Sequence, residues 1–131
     1  MNNDANLILS ETDFKKISAL LVLNQSDIFE LLEEELHRAL VVSTEMLPKD
    51  VVAMNSTVTF LDMDSNRQSV VELVYPHQVD IEKNKISILS PIGAALIGLR
   101  VQQSIHWPMP NGKVKKLKVV SVHENREVVD E

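Results

Sequence analysis

The sequence of 131 residues contains no cysteine, only three glycines, and only three phenylalanines, one tyrosine and one tryptophan. Without cysteine there is no disulfide framework, no thiolate metal site and no cysteine nucleophile. The patterns GxSxG, GxxxxGK(S/T) and GxGxxG are also absent, so neither a nucleophile elbow nor a phosphate-binding loop is indicated. The four histidines are scattered, without a second ligand at metal spacing. We therefore predict that the protein is not an enzyme and has no catalytic residues, no cofactor and no metal site.

Long hydrophobic runs are missing as well. No apolar run approaches the roughly 18 residues that a membrane-spanning helix requires. The first residues, MNNDANLILSETDF, contain a short apolar run without the preceding basic region of a secretory signal. Hydrophobic residues make up 44% of the sequence and charged residues 24%, which is typical of a folded globular chain. We expect a cytoplasmic protein that does not bind membranes.

The net charge of −6 is concentrated in the first part of the chain. Residues 1–48 carry nine acidic and three basic side chains, whereas the remainder is neutral. Because nucleic-acid binding depends on Lys and Arg contacts to phosphates, we expect no direct sequence-specific nucleic-acid binding and a partner with a positive surface. The basic run KVKKLK, residues 113–118, lacks interleaved aromatic residues. It is interpreted as an edge strand protected by lysines, with a protein-contact face as the alternative.

Residues 10–42 have the spacing of two antiparallel helices joined by the short link NQS. Ser10 is placed to cap the first helix. Glu34 and Arg38 are spaced to form an i, i+4 ion pair in the second. Each helix would contain about 13 to 16 residues and be about 20 to 24 Å long. The pattern therefore predicts a short helical hairpin.

Two acids, Asp27 and Glu30 in the stretch SDIFE, lie near the start of the second predicted helix. Their spacing fits a capping box, in which side chains satisfy the first amide groups of the helix. Alternatively, two carboxylates at a helical tip could present a divalent cation. The spacing by itself leaves both interpretations open.

After Pro48 the hydrophobic period becomes that of strands. STVTFLDM and QSVVELVYP bracket the turn residues DSN and predict a β-hairpin, and KISILS predicts a third strand. SIHW and GKVKKLKVVSVH flank PMPNG, whose Asn-Gly pair predicts a second hairpin, with a slip in register along the last strand. The one helix in this half has Ser90 as N-cap, Pro91 in its first turn and Gly98 as its left-handed stop. A helix packed on an antiparallel sheet predicts the α+β class.

The sheet half of the chain, about residues 51–123 with the segment ISILSPIGAALIGLRV, resembles the carboxy-terminal domain of the Gre transcript-cleavage factors. The segments PKDVVAMNSTVTF, LVYP, SPIGAALIGLRV and SIHW together resemble, over nearly the whole length of the chain, the Gre-like regulators of nucleoside diphosphate kinase. The resemblance implies a short helical hairpin arm (coiled coil), residues 1–47, followed by an FKBP-like domain, residues 48–131. It further implies docking on bacterial RNA polymerase near the secondary channel, with the hairpin pointing into the channel. An FKBP-like fold does not imply prolyl isomerase activity, because function resides in the site.

Gre cleavage factors hold a catalytic magnesium with acids at the tip of a long coiled coil, and DIFE has the D-x-x-E spacing of those acids. Because the predicted arm is short, we expect a regulator that competes with Gre factors without stimulating transcript cleavage. We expect a monomer, with self-association through an exposed apolar stripe of the hairpin as the alternative. Such a regulator would affect the levels of nucleoside diphosphate kinase. The alternative is direct protein–protein regulation of a nucleotide-metabolism enzyme such as that kinase.

Further candidate partner-binding residues follow the predicted helix of the second half. Relatives usually have a glycine and an acid after Val101, whereas this chain has two glutamines, so a positive-φ turn is harder to form there. The exposed end of this segment is a candidate docking face, with core packing as the alternative. The candidate partner-binding residues are Leu99, Arg100, Gln102 and Gln103, together with Asp27 and Glu30.

Overall fold

The computed structural model describes residues 7–24 and 27–124, apart from the side chains of Asp27 and Ile28. Three short 3₁₀ turns cover Thr44–Met46, Pro76–Gln78 and Ile81–Lys83. The helices and strands are β1 (Ile8–Ser10), α1 (Glu11–Leu23), α2 (Asp27–His37), β2 (Leu40–Val42), β3 (Ser56–Asp62), β4 (Arg67–Val74), β5 (Lys85–Ser87), α3 (Pro91–Leu96), β6 (Ser104–Pro108) and β7 (Val114–Glu124).

The predicted helical hairpin is present as α1 and α2. The hydroxyl of Ser10 accepts a hydrogen bond from the amide of Asp13 at 3.1 Å, which confirms the predicted N-cap. The two helices contain 13 and 11 residues. At 1.5 Å per residue they are about 20 Å and 16 Å long. The hairpin is therefore short, and α2 is shorter than predicted.

Two predictions within this hairpin are wrong. Residues 40–42 form β2 instead of continuing α2, and they pair in parallel with β1. The two valines of β2 favour a strand, and β1 provides hydrogen-bond partners that an isolated segment lacks. The guanidinium of Arg38 contacts the carboxylate of Glu35, three residues earlier, and not Glu34. The side chain of Glu35 is buried, so this ion pair lies against the core.

The second half of the chain forms a five-stranded sheet in the order β5-β4-β3-β7-β6. The two predicted hairpins, β3–β4 and β6–β7, are antiparallel, and β3 also pairs antiparallel with β7. One pair departs from the predicted antiparallel arrangement, because β4 and β5 run parallel. The α+β class with an N-terminal helical hairpin is confirmed. The FKBP-like character of the sheet domain stays a prediction.

Strand β7 is not the edge strand that its lysines suggested. It lies between β3 and β6, while β5 and β6 occupy the two ends of the strand order. Leu117 and Val119 of β7 are fully buried, and this burial suits an interior strand. The predicted slip is confirmed, because the register between β3 and β7 shifts between Thr59 and Phe60.

The segment around α3 connects the sheet to the hairpin. The amide of Gly93 donates to the hydroxyl of Ser90 at 3.1 Å, which confirms the predicted N-cap of α3. Gly98 has φ of +81°, as expected for the left-handed stop. Its amide donates to the carbonyl of Val52 at 2.9 Å, and its carbonyl accepts from the amide of Ile8 at 3.2 Å. The residue that ends the α3 segment is thus hydrogen-bonded both to β1 in the first half of the chain and to the stretch before β3 in the second half.

One hydrophobic cluster extends from the hairpin to the sheet. Ile17 and Leu32 of the helices are fully buried, and they belong to the same cluster as Leu73, Ile88 and Leu117 of the second half. Within residues 7–24 and 27–124, no helix is long and apolar enough to span a membrane. The division into residues 1–47 and 48–131 as arm and domain stays a prediction.

Candidate functional site

The candidate docking residues that follow α3 form a tight turn. The amide of Gln103 donates to the carbonyl of Arg100 at 3.0 Å, and Gln102 has φ of +78°. A four-residue turn with positive φ at its third position normally favours glycine there. The chain therefore makes the positive-φ turn with glutamine, at a conformational cost.

The side chains of this turn differ in their surroundings. Arg100 is exposed, and its Nε lies 3.5 Å from a carboxylate oxygen of Asp50, which is also exposed. Gln102 is exposed as well, whereas Gln103 is half-buried and its Oε1 accepts a hydrogen bond from the Arg100 amide at 2.9 Å. An exposed ion pair contributes only about 0–1 kcal/mol. Arg100 can therefore exchange Asp50 for a partner at little cost.

Leu99 is the exception among these candidates. Its side chain is 1% exposed and belongs to the hydrophobic cluster, so the expectation that it lies at an exposed end is wrong. Its carbonyl accepts from the amide of Val52 at 2.8 Å, which joins the segment to the stretch that precedes β3. Leu99 anchors the start of the turn in the hydrophobic cluster, and the exposed surface begins at Arg100.

The acidic candidates lie on a different element, α2. Glu30 is exposed, as are Glu33 and Glu34, so this helix presents an acidic surface. The side chain of Asp27 lies outside the described residues, and the choice between a cap and a cation site stays a prediction. In the part of the chain that the structure describes, no three His, Asp or Glu side chains are grouped so as to hold a metal ion.

A partly buried polar contact joins α1 to the sheet domain. One carboxylate oxygen of Asp13 accepts from the amide of Met54 at 3.1 Å, and the other accepts from the hydroxyl of Tyr75 at 3.0 Å. The ammonium of Lys16 lies 5.5 Å from the centre of the Tyr75 ring, a cation–π distance. Burial raises the pKa of Tyr75 well above its usual value, and the charge and hydrogen bond of Asp13 raise it further. The hydroxyl therefore stays protonated and remains the donor.

Sequence reasoning missed this contact. Asp13 follows Ser10 by three residues and is interpreted from sequence as part of a helix start, but its carboxylate bonds across the tertiary structure. One signal was available, since Tyr75 is the only tyrosine of the chain. A buried tyrosine hydroxyl requires a hydrogen-bond partner, although the sequence does not say which.

The comparisons with known proteins agree with this architecture. The sequence model described as transcription elongation factor GreA/GreB, C-term, matches residues 47–124, more than half of the chain. This chain belongs to the GreA/GreB family. The regulator of nucleoside diphosphate kinase of Escherichia coli strain K12 is 38% identical over 119 residues, covering 88% of each chain. The predicted resemblance is thus confirmed.

Two further GreA/GreB relatives show how far the similarity extends. The solved structure of a prokaryotic transcription elongation factor GreA/GreB from Nitrosomonas europaea is 40% identical with a TM-score of 0.75, covering 92% of this chain and 99% of that one. The transcription elongation factor GreA of Rhodospirillum rubrum is 41% identical over 81 residues, covering 62% of this chain and 52% of that protein. The similarity to the Nitrosomonas protein includes the hairpin, whereas the family match begins near the sheet domain.

Proposed function

We propose that this protein is a non-enzymatic transcription regulator that binds bacterial RNA polymerase near its secondary channel. It competes there with Gre factors and does not stimulate transcript cleavage. The observation that carries the proposal is the match of residues 47–124 to the GreA/GreB C-terminal domain. This region follows a helical hairpin whose two helices contain only 13 and 11 residues. In this proposal, residues 48–131 are an FKBP-like docking domain and residues 1–47 are the arm.

The length of the hairpin supports binding without cleavage. Cleavage requires acids to reach the polymerase active site at the tip of a long coiled coil, whereas α1 is about 20 Å long. In this proposal the exposed acids of α2, including Glu30, contact basic surfaces at the channel entrance and do not bind a catalytic magnesium. The protein works in this role as a cytoplasmic monomer without a cofactor, and it influences the levels of nucleoside diphosphate kinase through transcription.

The docking surface in this proposal includes Arg100 and Gln102, the exposed residues of the turn at 100–103. Arg100 offers an exposed guanidinium whose present partner, Asp50, is itself exposed. Gln102 offers an exposed side-chain amide. The hydrogen bond from the Gln103 amide to the Arg100 carbonyl closes the turn before binding, and a pre-organised turn loses little entropy when it binds.

Competition for core RNA polymerase tests the proposal. A labelled Gre factor is bound to the polymerase and this protein is titrated in, and we expect displacement together with no gain in transcript cleavage. The variant Arg100→Glu should need at least about a tenfold higher concentration to displace the Gre factor, which corresponds to a loss of about 1.4 kcal/mol in binding free energy. Lys83→Glu, which reverses another exposed charge, should behave like the unmodified protein. Absence of displacement at large excess, or stimulated cleavage, would contradict the proposal.

A second function is favoured by the similarity to the Escherichia coli regulator, 38% identical over 119 residues. The name of that protein refers to nucleoside diphosphate kinase, and direct binding of this chain to such a kinase is the alternative. A pull-down with purified kinase distinguishes the two functions. Stoichiometric capture of the kinase without displacement of a Gre factor would favour the alternative.

A further inference from the structure

A cavity opens on the inner face of the sheet, the face that packs against α3. Its volume is about 390 Å³, within the range of roughly 300–1,000 Å³ that is usual for small-molecule sites. It is distinct from the turn and the acidic helix described above. Its lining consists of Phe60, Asp62, Ser65, Arg67, Ser69, Ile92, Lys115 and Leu117.

The strand register brings these side chains together. Phe60 of β3 lies opposite Ser69 of β4, and Asp62 lies opposite both Arg67 of β4 and Leu117 of β7. Residues directly opposite one another in an antiparallel pair share one face of the sheet. Three neighbouring strands therefore contribute to one wall of the cavity.

The floor of the cavity is apolar. Phe60 is 7% exposed and Leu117 is fully buried, and Ile92 of α3 closes one side as a half-buried residue. An aromatic and an aliphatic side chain in the lining favour an apolar body in the ligand, because burial of apolar surface is favourable by about 25 cal/mol per Å².

The single carboxylate in the lining, that of Asp62, is already satisfied. Its Oδ2 accepts from the ammonium of Lys115 at 2.5 Å, and its Oδ1 accepts from the amides of Asp64 at 3.0 Å and Ser65 at 3.3 Å. The hydrogen bond from Lys115 lowers the pKa of Asp62, burial opposes it, and the two amides assist. Asp62 is therefore ionised near neutral pH, and the Asp62–Lys115 pair adds no net charge to the cavity.

Arg67 leaves the cavity with an unmatched positive charge. It stands opposite Asp62 in the register, but no ion pair of the described residues includes its guanidinium. The hydroxyl-bearing Ser65 and Ser69 line the same cavity. A guanidinium beside hydroxyl groups is suited to a carboxylate or phosphate, which it can bind with two parallel hydrogen bonds.

We propose that this cavity binds a small organic anion whose apolar body lies against Phe60 and Ile92 and whose phosphate or carboxylate group binds Arg67. Neither the proposed polymerase contact nor the acidic helix is needed for this site. The inference therefore stands or falls independently of the proposed function.

The test is a titration of the full chain followed through its backbone and arginine side-chain NMR signals. The probes are phenyl phosphate and benzoate, which differ in the anionic group, and phenol and inorganic phosphate, which each lack one half of the ligand. We expect saturable binding of phenyl phosphate or benzoate with a Kd of about 1 mM or tighter. The shifted signals should be those of Ser65, Ser69, Leu117 and the Arg67 side chain.

Substitutions of Arg67 test the site with little effect on folding, because this side chain is exposed. Arg67→Gln should weaken binding at least tenfold and Arg67→Lys less, since lysine retains the charge without the two-pronged geometry. Arg100→Gln, which removes another exposed guanidinium, should leave binding unchanged. The tighter of phenyl phosphate and benzoate identifies the anionic group. Unsaturable shifts, equal binding by phenol or by inorganic phosphate, or unchanged affinity in Arg67→Gln would overturn the proposal.

Discussion

Gly93 shows how one residue decides whether α3 can pack on the sheet. A Cβ atom at this position would lie 2.2 Å from the carbonyl oxygen of Ser87 and 2.9 Å from a methyl group of Leu73. The closest of these atoms belongs to the backbone, so it cannot turn aside as the end of a flexible side chain could. The small residue in SPIGAAL is therefore required by the sheet beneath it and not by helix propensity.

We expect Gly93→Ala to lower the free energy of unfolding by about 2–3 kcal/mol, because the added methyl group forces α3 away from β5. Urea unfolding followed by the fluorescence of Trp107, the only tryptophan, measures the change. Gly112→Ala is the matched control, since its Cβ would meet no atom within 4 Å. Its positive φ should cost about 1 kcal/mol. Equal losses in the two variants would contradict the packing argument.

Tyr75 allows a direct test of the contact between α1 and the sheet. It is the only tyrosine, so the tyrosinate absorbance of the chain reports this residue alone. We expect a pKa well above the ordinary value of about 10 in the folded protein and close to about 10 in urea. Because the folded state holds the proton more tightly, this contribution to stability is complete below about pH 10 and is lost as the pH rises further.

The variant Asp13→Asn separates the causes of that shift. Burial is the larger cause, and the charge and hydrogen bond of Asp13 are the smaller ones. The pKa of Tyr75 in this variant should therefore fall only part of the way toward its ordinary value. A titration that is identical in native and urea-unfolded protein would show that the hydroxyl is not buried.

Several residues were predictable because their roles depend on near neighbours. Ser10 and Ser90 were identified as N-caps and Gly98 as a helix stop, and all three are confirmed. Leu99, one position beyond Gly98, was expected at the exposed end and is buried. Nothing local distinguishes an exposed leucine from a buried one at the end of a helix, because burial depends on which strand lies beneath it.

At the scale of elements, the turn after α3 carries a cost that can be removed. Gln102 holds a φ of +78°, which a side-chain-bearing residue adopts unfavourably. Gln102→Gly should raise the free energy of unfolding by about 0.5–1 kcal/mol, since relief of strain outweighs the extra freedom of glycine in the unfolded chain. Thermal or urea unfolding of the variant measures this.

Gln103→Gly is the control for that prediction. This residue has no positive φ, and its side chain accepts a hydrogen bond from the Arg100 amide at 2.9 Å. Its replacement should destabilise the protein by about 0.5–1.5 kcal/mol. If Gln102→Gly were as destabilising as Gln103→Gly, the turn would not be strained. The same two variants also report on docking, because a partner that uses the Gln102 amide would bind Gln102→Gly less well.

The elements themselves were predictable wherever the hydrophobic period was clear, as in the two β-hairpins and the helices α1 and α3. The exceptions are β2 and the position of β7. Residues 40–42 continue a helical spacing in the sequence, and only pairing with β1 makes them a strand. The lysines of β7 suggested an edge, but β6 covers that side. In both cases a distant partner segment overrides a local preference.

At the scale of the whole molecule, the hairpin and the sheet share one hydrophobic cluster. Leu32 of α2 is fully buried in the same cluster as Leu117 of β7. Leu32→Ala should lower the free energy of unfolding by about 2–5 kcal/mol through the cavity that it leaves. Because the core is continuous, the urea midpoint reported by Trp107 in the sheet should shift together with that reported by helical circular dichroism.

Leu23→Ala is the control for this prediction, since Leu23 is 80% exposed. It should change stability by no more than about 0.5 kcal/mol. A Trp107 midpoint that is unaffected by Leu32→Ala would mean that the hairpin unfolds as a separate unit. That outcome would favour an independent arm of residues 1–47, whereas a joint shift would favour a hairpin whose orientation is fixed by the sheet.

The sequence by itself determined the α+β class, the short hairpin, the capped helix before Gly98 and the similarity to GreA/GreB proteins. These features depend on the period of the apolar residues, on capping groups a few positions away, and on contiguous motifs. Three other features became visible only in the folded molecule: Asp13 bonds to Tyr75, Leu99 is buried, and Arg67 lines a cavity without an ion pair to any carboxylate of residues 7–24 and 27–124. Each of these depends on how segments that are distant in the sequence pack against one another, and no local pattern encodes that arrangement.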